Sequence, residues 1–163
     1  MLSKTMADAL NEQVKHELYS SNLYLAMSSW CEGASLTGYA KWLRVQVEEE
    51  RGHAMKLFDY LLDHGAAAMV PALAAPSATW RSALDLFHQV VEHEKGVTAR
   101  INKLMELAIH EADFATQEAL HWFVKEQIEE EKNASLLAAH LEMVGEKSAA
   151  ILNLDHNAGK RGK

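Results

Sequence analysis

The chain has 163 residues, with 23 acidic against 16 basic side chains, a formal charge of −7, two prolines, eight glycines and one cysteine. Its size fits one domain with a substantial core, and its few helix breakers leave room for long helices. The acidic balance argues against nucleic acid as a main partner and favours cationic ones.

Cys31 has no second cysteine with which to form an intrachain disulfide, and the opening stretch MLSKTMADALNEQ lacks the apolar core of a secretory signal. No apolar run reaches the ~18 residues of a membrane span. The expectation is a cytoplasmic protein without membrane association, in which Cys31 is a small core residue.

The predicted helices take residues 3–32, 37–64, 79–110 and 113–144. Gly33, Gly65 and Gly145 follow the first, second and fourth, while Thr37, Ser77 or Thr79, and Asp113 supply start signals. The turns near 33–38 and 110–113 are short, so each helix pair is expected to be antiparallel. Between the pairs, residues 65–78 are alanine-rich, carry Pro71 and Pro76, and lack helical periodicity. At ~3.3 Å per residue this segment reaches ~46 Å, about the length of one helix, so it can return along the bundle and start the third helix parallel to the second. Met69, Val70 and Leu73 point to packing, either on the chain's own bundle or on another subunit. Residues 146–157, with Ile151, Leu152 and Leu154, are expected to form a short fifth helix ahead of a disordered basic tail, 159–163. The reading is all-α, with a four-helix bundle over 1–145 that has one long crossover between its second and third helices, and a C-terminal helix and tail over 146–163.

Each long helix carries a seam of small or apolar residues spaced three and four apart. The seams run Ala7, Leu10, Val14, Glu17, Ser21, Tyr24, Ser28, then Ala40, Leu43, Val47, Glu50, Ala54, Leu57, Leu61. They continue as Leu84, Phe87, Val91, Glu94, Thr98, Ile101, Met105, and Leu120, Phe123, Gln127, Glu130, Ala134, Leu137, Leu141, Val144. Such spacing turns every seam residue toward the bundle interior, so Glu17, Glu50, Glu94, Gln127 and Glu130 face inward. Each lies near the middle of its helix and stays in the middle layer whichever way the helix runs, so the five are expected to meet. Buried carboxylates cost several kcal/mol each unless paired or metal-bound. No lysine or arginine lies on a seam, and a multivalent metal is the simplest source of positive charge.

Glu50 and His53 stand three residues apart on one helical face and can grip the same ion. Glu118 and His121 repeat the spacing off the seam and read as surface. Di-iron bundles use one Glu from each of two helices and Glu-x-x-His from each of two others. Here Glu17 and Glu94 fill the single positions and Glu50 with His53 one paired motif, while the fourth helix offers Gln127 and Glu130. The remaining histidines, His16, His64, His88, His93, His110, His140 and His156, have no ligand-spaced partner on a seam.

The stretches HELYSSNLYLAMSSW, VEEERGHAMKLFDYL and WFVKEQIEEEK, with Glu94 in HEK, resemble the ferritins, and most closely the non-haem bacterial ferritins, along essentially the whole chain. The resemblance implies that Glu17, Glu50 and His53 hold one iron and that Glu50, Glu94 and Glu130 hold a second, with Glu50 bridging. It implies that Gln127 hydrogen-bonds near the second iron, that Tyr24 hydrogen-bonds a ligand or donates an electron, and that Glu49, Glu126 and Glu129 join Glu130 in a third iron site. Taken alone, the three flanking glutamates read as a solvated face.

Haem is not expected, because a bacterioferritin places methionine directly after its bridging glutamate and this chain has Arg51. One cysteine excludes the four-cysteine domain of a rubrerythrin. The implied activity is oxidation of Fe(II) by dioxygen or hydrogen peroxide, with ferric mineral stored in a shell of 24 identical subunits. Residues 146–157 would then line fourfold axes, and His110, Glu111, Asp113 and Glu118 would lie near threefold channels. Two other readings are a bundle that sequesters Fe(II) or Mn(II) without turnover, and an inactive structural bundle.

Overall fold

The computed structural model describes residues 2–145 and 148–161. Five helices follow one another: α1 Lys4–Gly33, α2 Thr37–Asp63, α3 Ala83–His110, α4 Phe114–Val144 and α5 Ala150–Ala158, with no strand among the described residues. α1 packs chiefly on α2 and α3 on α4, while α5 lies against α2 and α4.

Helix ends follow from local chemistry. The hydroxyls of Ser3 and Ser82 accept from the Met6 and Asp85 amides, and the Asp113 carboxylate from that of Thr116, so α1, α3 and α4 are capped in their own sequence. Three helices close with the same paired bonds: Leu36 N–H to Cys31 O, Ala66 N–H to Leu61 O and Asp113 N–H to Ala108 O, each 2.9 Å, beside a shorter-range partner. That closure needs a left-handed residue, supplied by Gly65 at φ 69° but by Ser35 at 60° and Ala112 at 53° elsewhere.

α3 begins at Ala83 rather than near residue 79. Trp80 is drawn into the core, edge-on to Trp30 at 6.2 Å, and its indole N–H donates to Gln89. The chain reaches helical geometry only after Ser82, and neither Ser77 nor Thr79 caps it.

The crossover is fastened to its own bundle. The Asn11 amide donates to Ala67 O at 2.9 Å and accepts from Met69 N–H at 2.7 Å, leaving the Met69 and Val70 side chains outward. Ser3 at the start of α1 hydrogen-bonds Glu111 at the end of α3, and Trp30 near the end of α1 meets Trp80 just before α3. α1 and α3 therefore run antiparallel, and α3 is parallel to α2.

Two apolar clusters fill the bundle. One gathers Met27, Tyr39, Leu43, Phe87 and Leu141, and the other Leu10, Leu57, Ile101, Leu120 and Phe123. Between them lie Glu17, Glu50, His53, Glu94, Gln127 and Glu130, all buried. On α3 the fully buried stripe is Leu86, Val90, Glu94, Val97, Ile101, Leu104 and Ala108, while the expected Leu84, Val91, Thr98 and Met105 are half-buried. The two stripes share Glu94 and Ile101, Phe87 of the expected seam is also buried, and α3 is apolar over both.

α2 has no cap of its own, since its N-cap position is Leu36. Asp155 of α5 supplies one, accepting from Gly38 N–H at 3.0 Å and Tyr39 N–H at 2.8 Å. The approach is so close that a Cβ on Gly38 would fall 1.7 Å from the Asp155 carbonyl oxygen. The expected tail disorder does not extend to Gly159–Arg161, which form a turn whose Arg161 side chain is held at two α2 residues; Gly162, Lys163, Glu146 and Lys147 lie outside the described residues. Replacing Asp155 by Ala strands two donors in the core, and urea denaturation is expected to register a loss of about 2 kcal/mol. Gly38→Ala is expected to force α5 away, seen as faster amide exchange over residues 150–158.

Candidate metal centre

Glu17 of α1 and Glu50 with His53 of α2 present ligand atoms that all lie within 4.8 Å of one another. His53 also forms such a group with Glu126 and Glu130 of α4. His53 thus stands between two carboxylate sets, and Glu94, Glu49 and Glu129 belong to neither. The His53 Nδ1 atom is 3.8 Å from Glu50 Oε2, and the ring is wedged edge-on against Trp122 at 5.3 Å and Phe123 at 6.0 Å. Burial lowers its pKa to about 4, so near neutrality the imidazole is uncharged and keeps a lone pair for a metal.

Glu94 enters the layer from α3 and is held by neutral donors. The Tyr24 hydroxyl donates to Oε1, and the Gln127 amide donates to Oε2 at 3.2 Å. Gln127 also reaches the Glu94 backbone carbonyl and the Thr98 hydroxyl, both at 3.3 Å. Two further glutamines do the same for other carboxylates: Gln13 donates to Glu17 Oε1 at 2.7 Å, and Gln46 to Glu130 Oε2 at 2.9 Å. Glu50 receives no amide, hydroxyl or cationic donor among the described residues; both its oxygens and Glu17 Oε2 are buried without such a partner, and the two carboxyls face each other, close enough to share a proton.

Sequence reasoning missed Gln13 and Gln46, although each stands four residues before a seam glutamate and so one turn away on the same face. It also missed the setting of Tyr24. The His93 ring packs edge-on to Tyr24 at 5.7 Å while its Nε2 pairs with Ser20 Oγ at 2.7 Å.

Burial, reinforced by neighbouring acids, pushes the Glu50 carboxyl well above its ordinary range, with Glu17 and Glu94 the largest charge contributions. Burial likewise raises Glu17 and Glu94, and lifts Glu130 to about 7. Among the described residues no Lys or Arg forms an ion pair with any of these four acids. Arg100 on α3 only lowers Glu17 and Glu94 from a distance. An acid layer with orphaned oxygens and a neutral imidazole fits a multivalent cation with oxygen preference, such as iron or manganese.

Glu49 and Glu126 flank this layer with partial exposure, and Glu129 is exposed. Cys31 is buried, and burial raises its thiol to about 12, which keeps it protonated and inert. Glu118 and His121 pair at 3.2 Å on the surface.

The ferritin-like domain profile matches residues 7–144. A probable bacterial non-heme ferritin-like protein of Haemophilus influenzae is 39% identical over 98% of this chain and 96% of its own. A bacterial non-heme ferritin of Bacteroides fragilis is 37% identical over 99% and 100%. Among solved structures, an open pore ferritin from the hyperthermophilic archaeon Archaeoglobus fulgidus superposes with a TM-score of 0.97 at 42% identity over 99% of both chains. A bundle with an acid layer at mid-height, matched from end to end by these proteins, places the chain in the ferritin family.

Proposed function

We propose that this ferritin oxidises Fe(II) in the acid layer and stores the ferric product as mineral inside a hollow shell of its own subunits. The observation that carries the reading is the set of orphaned oxygens on Glu50 and Glu17 in a layer that, among the described residues, has no lysine or arginine ion-pair partner. Fe(II) is the substrate. Glu17, Glu50 and His53 would take one ion, and Glu50, Glu94 and Glu130 a second, so that Glu50 bridges. Each Fe(II) gives one electron to dioxygen or hydrogen peroxide. Anionic oxygen donors bind Fe(III) better than Fe(II), so the ligand set itself favours oxidation.

Tyr24 is poised to orient Glu94 through its hydrogen bond or to supply an electron, and Gln127 holds the other oxygen of the same carboxylate. Glu49, Glu126 and Glu129 with Glu130 form the proposed third site. No haem role is proposed. His110, Glu111 and Asp113 line a surface recess at the start of α4 and are the proposed route by which cations reach the shell, with Glu118 further along the helix. No described helix is long and apolar enough to cross a membrane; the cytoplasm is the proposed compartment.

Glu50→Ala and Glu94→Ala are each expected to slow Fe(III) formation and oxygen consumption by about tenfold or more. Parental rates in both would remove the assigned centre, and iron uptake without oxidant consumption would make the bundle a sequestering one. Electron microscopy of the native protein is expected to show closed shells of 24 subunits; monomers or dimers alone would remove the cage while sparing the site.

A pH signature follows from the raised carboxyls. Glu130 has a folded pKa of about 7 against an ordinary 4.5, so the folded apoprotein holds more protons than the unfolded chain between those values and loses stability as pH rises through that window. The buried His53 and His93, lowered to about 4, act in the opposite sense between 4 and 6.5, so the comparison must be made against a variant. Apo Glu130→Gln is expected to be more stable than the parent by up to ~3 kcal/mol above pH 7, with the gap closing below pH 4.5. Urea denaturation across this range measures it, and a gap independent of pH would refute the burial argument.

A further inference from the structure

The third-site carboxylates have a cation already in place. Arg161, in the turn that follows α5, donates from Nη2 to Glu49 Oε2 at 2.7 Å and from Nη1 to Gln46 Oε1. Its guanidinium carbon lies 4.6 Å above the Trp42 ring, and its side chain is 21% exposed. Charge, planar fork and aromatic face therefore fix one group at three points; a lysine would lose the fork but keep the charge beside Glu49.

Both hydrogen bonds have consequences. Glu49 Oε2 is an atom that a third metal ion would need, so guanidinium and metal compete for it. Gln46 is fully buried, and with its carbonyl committed to Arg161 its amide nitrogen is turned onto Glu130 Oε2 at 2.9 Å. One tail residue thus touches the third-site acid directly and holds, through Gln46, the donor resting on an acid of the proposed di-iron pair. Arg161 also borders, with Glu129, His140 and Asn157, an open recess of about 530 Å³, which gives the side chain room to swing out when displaced.

We infer that Arg161 is a built-in, displaceable counter-cation of the third metal site: a positioning residue that keeps Glu49 neutralised and Gln46 oriented until an incoming divalent cation expels it. This rests on the proposed use of Glu49, Glu126 and Glu129 as that site. Occupancy of the third site would then release the C-terminal turn from α2. The site would fill last because its first step is breaking a partly buried ion pair, whereas the Glu17, Glu50 and His53 set has nothing to displace.

The test uses assembled, metal-free, full-length protein titrated with Zn(II), which is redox-inert, by calorimetry. In Arg161→Gln the weakest of the tight sites is expected to strengthen about tenfold, which is ~1.4 kcal/mol, while the stronger sites are unchanged. Arg161→Lys, which keeps the charge, is expected to bind Zn(II) more nearly as the parent does. Glu49→Gln is expected to remove the weakest site with or without Arg161. In the parent, amide exchange over residues 158–161 is expected to quicken only as that last site fills.

An unchanged weakest site in Arg161→Gln, with Glu49→Gln still abolishing it, would overturn the inference and leave the third site standing. Equal behaviour of the Gln and Lys variants would overturn it as well. Full binding in Glu49→Gln would remove the third-site reading itself, and the inference with it.

Discussion

Four carboxyl groups held in one buried layer, between two apolar clusters and without a lysine or arginine ion-pair partner among the described residues, set the terms for the rest of this bundle. Charged carboxylates in that position repel one another and are poorly solvated, which is why burial drives all four toward the protonated form. The hydrogen bonds in the layer do not cancel this problem. Gln13, Tyr24, Gln46 and Gln127 are neutral donors, and they orient Glu17, Glu94 and Glu130 without supplying positive charge. Glu50 has no amide or hydroxyl donor among the described residues, as suits a carboxylate whose two oxygens are proposed to face two different ions. Neutral donors fix geometry while the unmet charge remains available to a cation.

The helical frame serves that layer. Antiparallel α1 and α3 place Glu17 and Glu94 at equal depth, and the crossover that makes this possible is secured at two places, by Asn11 on residues 67–69 and by Trp80 against Trp30. α5 and the turn that follows it add a further support, because the hydrogen bonds of Asp155 and Arg161 all fall on α2. Asp155 caps the start of that helix, and Arg161 binds it near the acid layer, so one short element spans from the α2 N-terminus to Glu49. A helix without a cap of its own and a carboxylate in need of a cation are both served by the last described residues of the chain.

Much of this was legible because seam positions are a property of spacing alone. Glu17, Glu50, Glu94, Gln127 and Glu130 could be assigned to the interior, and to one level, before any contact was known, since a mid-helix residue remains at mid-height in either orientation. What spacing could not resolve was rotation where a helix is apolar on more than one side. On α3, Leu84 and Val91 compete with Leu86 and Val90 for the core, and only packing against α1 and α4 decides between them. The ends of α1 and α3 were placed to within a residue although their left-handed stops are Ser35 and Ala112, whereas the start of α3 was hidden because the buried Trp80 keeps the chain extended past an apparent cap. The glutamine donors and Arg161 were hidden for a different reason. A polar residue one turn from a glutamate, or a basic residue in a tail, looks like surface until tertiary contacts bring it to the acid.

Charge balance gives the proposed reaction a direction. Two Fe(II) ions in the proposed site would carry four positive charges, matched by Glu17, Glu50, Glu94 and Glu130 once ionised, while His53 would add none because it is neutral. After oxidation the pair carries six, and the four carboxylates no longer suffice. Glu49, Glu126 and Glu129 lie beside the layer on α2 and α4 and are less buried than its four acids. On the proposed reading, a ferric ion leaving the layer would move from a site it over-neutralises toward the acidic cluster proposed as the third site. Arg161 seated on Glu49 reduces the negative charge of that cluster, and its proposed displacement would restore it, so the cluster would then be a closed or an open step on the proposed path out of the bundle.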